Sequence, residues 1–171
     1  MSVVRALHSL ALAVWLGGMT VLGVVVAPSA FQVLQAREAA HGRVLAAAVF
    51  GTVLDRFQFL AYGCAAVVLV TLGLMRWLAP RTAGLLPRAA LAAGLLAVAL
   101  YTGYGVYPEV EQVQAQIGAG VSPSTLEATD PRRVRFDALH ARSTRLMQLN
   151  LIGTVILLAW HTHSSASRSR S

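Results

Sequence analysis

The chain has 171 residues, of which 56% are hydrophobic and 12% charged, with a mean hydropathy of +0.62. Soluble domains carry roughly 25% charged residues, so half of the usual solvating charge is missing and a water-soluble globule is excluded. The net charge of +7 comes from 14 bases, all arginine, against seven acids. These arginines lie thinly between long apolar runs, which rules out a nucleic-acid surface.

A bilayer core of about 30 Å requires roughly 20 apolar residues as helix, and four segments approach that length. The first, residues 6–27, has 22 residues without a charge, enters from Arg5 and is expected to stop at Pro28. A secretory signal peptide is the competing reading, given Arg5 and the small residues of VAPSA, although the run exceeds a normal signal core. Upstream of the second span, Arg37 to Val53 mixes charged and apolar residues at helical spacing. That stretch reads either as a helical extension or as an amphipathic helix lying on the headgroups. The second span covers 57–78 and contains Cys64, the single cysteine, so an internal disulfide is impossible. After the short turn APRTAGLLP comes the third span, about 87–107, with Pro87 near its start and Pro108 after its end. Residues Gly118 to Thr129 read as a flexible loop. Asp130 then suits an N-cap and Pro131 the first helical position, predicting one long helix from Pro131 to about His161. Its mainly apolar, uncharged part, Leu146 to Trp160, has only 15 residues, so the fourth span, about 140–162, has to borrow polar residues upstream. No internal repeat of the kind that marks transporter halves is evident. The expected fold is an all-α integral membrane four-helix bundle, one domain, with helical extensions before the second and fourth spans.

Four spans put both termini and the short turn on one side, with Arg5, Arg76, Arg81, Arg88, Arg168 and Arg170 and no acid. All seven acids, Glu38, Asp55, Glu109, Glu111, Glu127, Asp130 and Asp137, fall on the other side. Bases near the spans weigh most in the positive-inside rule, so cytoplasmic termini are expected, in a cell inner or plasma membrane. Trp77 and Trp160 would form the inner aromatic belt, and Tyr101, Tyr104 and Tyr107 the outer one.

Ionisable residues at membrane depth are costly and point to function. His8 and Trp15 share a face of the first helix, seven residues apart, where they are candidates for haem binding or simply for packing. Beside them Gly17 and Gly18, with Ala13, offer a small-residue face for close helix approach and for a homo-oligomer. In the fourth helix, Asp137, His140 and Thr144 share a face. Asp137 there either orients the His140 imidazole or pairs with Arg133. His8 and His140 both begin their spans, but the spans run in opposite directions, so one haem iron is not shared by the two. The outer side gathers His41, Asp55, Glu109, Asp137 and His140, with Tyr104, Tyr107 and Glu111, a donor set suited to zinc, copper or iron. Inside fall His8, His161 and His163, the last two in a tail that reads as solvated. Asn150 and Gln148 are expected to bridge neighbouring helices. No Walker loop, GxSxG, HExxH or CxxC pair occurs, which argues against an enzyme.

Three segments, HSLALAVWLGGMTVLGVVVAPSAF, HGRVLAAAVFGTVLDRF and FDALHARSTRLMQLNL, together resemble the transmembrane-protein-205-like family, also called domain of unknown function 4149. The matching residues are His8, Trp15, Gly17, Gly18, Pro28, Phe31, His41, Gly42, Phe50, Phe136, His140, Ser143 and Asn150. The WxGG element is more loosely similar to copper-resistance D-type and protoporphyrinogen-oxidase J-type membrane proteins. The resemblance implies a small multi-span membrane protein without an established reaction. Three functions follow as expectations: metal-ion or small-solute handling at the outer cluster, a b-type haem redox protein, or a packing subunit whose partners are the bilayer and further copies.

Overall fold

A computed structural model describes residues 2–38, 41–78, 84–118 and 120–168, with side chains followed to residue 163. It is built from α1 (Ser2–Arg37), α2 (Gly42–Leu78), α3 (Leu85–Ile117) and α4 (Pro131–Arg168), with one 3-10 turn at Pro123–Thr125. Among the described residues there is no strand. Each helix packs against its neighbours in the chain, and α4 closes the ring by returning to α1. The result is an antiparallel bundle with a basic end, carrying Arg5, Arg76 and Arg88, and an acidic end.

The prolines do not end the helices as expected. Pro28 has no N–H and its ring would strike the carbonyl four residues back. The chain absorbs this by widening into a π turn at Leu22–Val26, where the Ala27 N–H donates to the carbonyl of Leu22. Helix α1 therefore continues to Arg37. The same device operates in α3, where Thr102–Val106 is a π turn and the Tyr107 N–H donates to the Thr102 carbonyl ahead of Pro108. Of the stretch Arg37 to Val53, Arg37 ends α1, residues 39–40 lie outside the described ones, and from Gly42 the chain is a helical extension of the second span that runs unbroken in α2. At about 1.5 Å per residue, α2 is about 55 Å long and outreaches a bilayer core. The start of α4 is as predicted: Asp130 Oδ1 accepts the Arg132 N–H at 2.8 Å.

The matched π turns reveal an internal repeat that the sequence pattern did not. Shifting α1 by 80 positions lays Leu22–Val26 on Thr102–Val106 and Ala27–Arg37 on Tyr107–Ile117. Buried positions follow the same shift: His8 and Arg88, Leu12 and Ala92, Trp15 and Leu95, Met19 and Ala99. For α2 and α4 the shift is 89, pairing Ala61 with Asn150, Ala65 with Thr154, Val68 with Leu157 and Leu72 with His161. Two α-hairpins of the same direction thus face each other across the bundle axis, the arrangement of parallel repeats.

Three helices, α1, α2 and α3, are long and apolar enough to cross a membrane. Only 28% of the most apolar window of α1 is buried inside the bundle, so most of its Val and Leu side chains face outward. Leu10, Val24 and Phe59 are all more than half exposed, an apolar surface that only lipid accommodates. The chain is therefore a membrane protein. Because lipid tails are as apolar as leucine, close packing rather than hydrophobic burial holds such helices together. The absent side chains of Gly18, Gly103 and Gly153 serve that packing by admitting Phe57, Tyr62 and Leu95 respectively.

The shared core, with Leu12, Trp15, Ala65, Val68, Leu72, Leu95 and Leu157, draws on all four helices. Towards the acidic end the bundle divides into two arms. Residues 27–37 pack on α2, while 107–117 pack on α4 around a separate core of Val106, Val113, Ile117 and Leu139.

Candidate functional site

Reading along the axis from the basic end, the interior is polar, then apolar, then polar again. The first layer takes a side chain from every helix: His8 from α1, Thr71 from α2, Arg88 from α3 and His161 from α4, each at most 7% exposed. His8 Nδ1 lies 2.8 Å from Thr71 Oγ1, and His161 Nε2 lies 3.1 Å from Ser9 Oγ. The two imidazole rings are in contact, with centroids 4.6 Å apart and planes tilted by 36°. The Arg88 guanidinium sits over the Trp160 ring, 5.3 Å from its centroid. The second layer, Leu12, Ala65, Val68, Leu72 and Leu157, is at most 2% exposed, and the fully buried Thr154 beside it spends its hydroxyl on the Asn150 carbonyl of its own helix. The layer forms a dry plug.

Above the plug, where the arms diverge, lies a cavity of about 30 Å³. A water molecule needs at least about 10–15 Å³ of such space, so the cavity is large enough to be wet. All four helices line it: Trp15 and Met19, then Phe57, Gln58 and Ala61, then Ala99, Thr102 and Tyr107, then Met147 and Asn150. Trp15 is 1% exposed and forms part of the floor. The Thr102 hydroxyl donates to the Val98 carbonyl of its own helix. Asn150 is 6% exposed, and its Oδ1 is buried with no hydrogen-bond partner among the protein groups. A buried carbonyl oxygen left unpaired costs about 1–3 kcal/mol, so the cavity asks for a donor.

The predicted residues are distributed as follows. His8 and Trp15 share one buried face of α1, with Trp15 at the cavity and His8 in the layer below the plug. His8 packs directly on His161, with ring centroids 4.6 Å apart. His140 is exposed and stacks on Phe136, at the acidic end. Glu109 is paired with Arg135 at 3.6 Å and Asp137 with Arg133 at 3.8 Å. Asp137 thus takes the arginine rather than the imidazole. His41 and Asp55 are exposed on α2 and the turn before it. Among the described residues, no three of His, Cys, Asp and Glu come together as a metal site, so the outer cluster is not assembled. Its members stand on different arms, and two of its acids, Glu109 and Asp137, are taken by arginines of α4. Gly18 packs against Phe57 as expected, whereas Gly17 is exposed and has open space beside it. Asn150 does not bridge helices through Oδ1, and Gln148 is exposed. Of the tyrosines, Tyr101 and Tyr104 stay exposed while Tyr107 turns in to the cavity.

His161, Thr71 and Arg88 were not singled out as a group by sequence reasoning. The helix does not end in a solvated tail at HTH but continues to Arg168, and this carries His161 inward. Topology already placed His8 and His161 on the inner side, whereas their ring contact and the burial of Thr71 and Arg88 beside them depend on packing between helices.

Among protein families, the model described as domain of unknown function (DUF4149) matches residues 10–119. The match takes in α1, α2 and α3, including Trp15, and leaves His8 and α4 outside it. No curated protein and no solved structure matches the chain.

Proposed function

The chain belongs to the DUF4149 family, and from that premise we propose that it is a multi-pass protein of the cell inner or plasma membrane that handles a small hydrogen-bonding solute in the axial cavity. The single observation that carries this reading is Asn150 Oδ1, an acceptor without a protein partner, on the wall of a cavity that all four helices build. Cavities lined mostly by apolar groups with a few convergent polar ones are the usual form of small-molecule sites. The solute enters from the acidic end, where the arms part, and is stopped by the plug of Leu12, Val68 and Leu157. In this reading α4 is the fourth span. The basic end faces the cytoplasm because its span-proximal arginines have no acid among them.

The test uses Trp15 as a reporter. In the Trp77→Phe, Trp160→Phe variant reconstituted in liposomes, acrylamide, itself a small polar amide, is added from outside. Quenching of Trp15 despite its burial, and loss of that quenching in Asn150→Leu, is expected. A Trp15 that acrylamide never reaches overturns the reading. Association of copies is a second reading, favoured by the open space beside Gly17, one turn after the exposed Ala13. Gly17→Leu would then shift the mass of the detergent-solubilised particle, and an unchanged mass of one chain in both proteins excludes it.

A further inference from the structure

The arginines in the first half of α4 fall into two sets. The first three are paired, Arg132 with Asp130, Arg133 with Asp137 and Arg135 with Glu109. Arg142 and Arg145 follow, both exposed, and among the described residues neither meets a carboxylate. From Arg142 and Arg145, helical spacing leads on to Leu149, Ile152 and Ile156 along one stripe of the helix. Those three apolar side chains are about half exposed, so the stripe faces lipid and the two guanidiniums stand at its head. Counted back from Trp160, the roughly 20 helical residues that cross a bilayer core reach Ala141. Arg142 thus stands at the headgroup boundary of the acidic end, and Arg145 lies one turn inside it, near enough for its long side chain to reach back. The same length in α2 runs from Arg76 back to Phe57, which leaves Asp55 and Arg56 just outside the core. A guanidinium at such a depth is costly without an anion. Arg142 is held against α3, its guanidinium carbon 5.4 Å from the centroid of the Tyr101 ring. Contact with the ring face orients the cation and leaves the N–H groups at its edge free to donate. The hydroxyls of Ser143 and Thr144 donate to the His140 carbonyl, so the guanidiniums are the donors on offer.

We propose that Arg142 and Arg145 bind the phosphate of an anionic phospholipid in the leaflet at the acidic end. The phosphate accepts hydrogen bonds from both guanidiniums, a pairing for which arginine is well shaped, while Tyr101 keeps Arg142 in place and an acyl chain lies along Leu149, Ile152 and Ile156. The occupant is a lipid because the stripe is charged at its head and apolar along the rest of its length, the same order of charge and chain as in an amphiphile. An anionic lipid fits better than a zwitterionic one, since two cations face one phosphate and a choline would add a third positive charge. The bound phosphate offsets the charge that α4 carries into the interface because its uncharged part, Leu146 to Trp160, has only 15 residues. This lipid site rests on the reading of α4 as the fourth span and not on the cavity.

The experiment reads lipid at the site with one tryptophan, Leu149→Trp, in the full chain carrying Trp15→Phe, Trp77→Phe and Trp160→Phe. This parent is reconstituted in phosphatidylcholine with increasing fractions of phosphatidylglycerol, one lipid or the other bearing bromine on its acyl chains to quench an adjacent tryptophan. An arginine beside an anionic surface is worth about fivefold in binding, so a preference for phosphatidylglycerol of about fivefold or more is expected, and its loss in Arg142→Gln, Arg145→Gln. Arg37→Gln, Arg43→Gln removes the same charge from the same end of the chain and should leave the preference intact. No preference in the parent, or an equal fall in both double variants, overturns the lipid site. Should the chain without Trp15 fail to fold, native mass spectrometry of the unsubstituted protein, released from bilayers of the two lipids in equal amounts, decides instead. Phosphatidylglycerol retained there and lost only from Arg142→Gln, Arg145→Gln supports the site; equal retention with and without the two arginines overturns it. The two readings fail separately. Quenching of Leu149→Trp by brominated phosphatidylcholine without a preference for phosphatidylglycerol removes the lipid site alone. A Leu149→Trp chain that no brominated lipid quenches removes the fourth span, and the site with it.

Discussion

The ring of Phe57 occupies the space into which a Cβ on Gly18 would project, whereas a Cβ on the adjacent Gly17 would meet nothing within 4 Å. Gly18→Ala should therefore force Phe57 aside and cost about 1–3 kcal/mol through overpacking. Gly17→Ala should be neutral or stabilise the helix by up to about 1 kcal/mol, the usual gain over glycine in a helix interior. Thermal unfolding of the two variants in detergent checks the contrast, and equal losses would contradict it.

Asn150→Leu should raise stability while it removes function. Leucine has the branching and heavy-atom count of asparagine and eliminates a buried acceptor that has no protein partner, a gain of about 1 kcal/mol. The same change turns the cavity wall apolar, so Trp15 quenching should fall. Unfolding and quenching measured on one preparation would show the two effects with opposite signs.

Gly42 stands at the tightest approach in the hairpin of the first arm. A Cβ there would run into the Leu34 carbonyl group and the backbone of Gln35, and backbone does not rotate away as Phe57 can. Gly42→Ala should cost more than Gly18→Ala, above about 2 kcal/mol. Hydrogen exchange should show the loss in residues 27–37 and the start of α2, with the four-helix core protected as before.

At the start of α4, the side-chain hydrogen bond from Arg132, together with its backbone N–H, holds the Asp130 carboxyl down at about 2. An unfolded aspartate titrates near about 3.9. The group's contribution is therefore complete above about pH 4 and disappears as pH falls through about 2. Amide protection over the first turn of α4 should decline in that window. In Asp130→Asn the amide still caps, so protection should remain but lose its acid dependence.

The overall plan was legible because the apolar runs are long and the acids lie on one side. Asp130 and Pro131 marked the start of α4 correctly, since capping is a local matter of one carboxylate and one missing N–H. Pro28 and Pro108 misled for the opposite reason. A proline forbids the ordinary helical hydrogen bond, but nothing in VAP or VYP reports that an extra residue in the preceding turn removes the clash. The outer metal set failed because depth in the membrane was known while position around the bundle was not: His41, Glu109 and His140 share a side but not a neighbourhood. Asn150 was recognised, yet whether Oδ1 meets a helix or a hole depends on packing between four chain segments. His161 was hidden by composition, its polar neighbours suggesting a tail.

The 80-residue correspondence has a consequence for the chemistry of the axis. A strictly two-fold frame would face every interior side chain with a copy of itself. Here the frame is nearly symmetric and the residues are not: His8, whose charge can change, stands where the other half has Arg88, whose charge is permanent. Asn150 and Ala61 differ in the same way at the cavity. The interior is therefore off-centre, with different chemistry on the two sides of one frame.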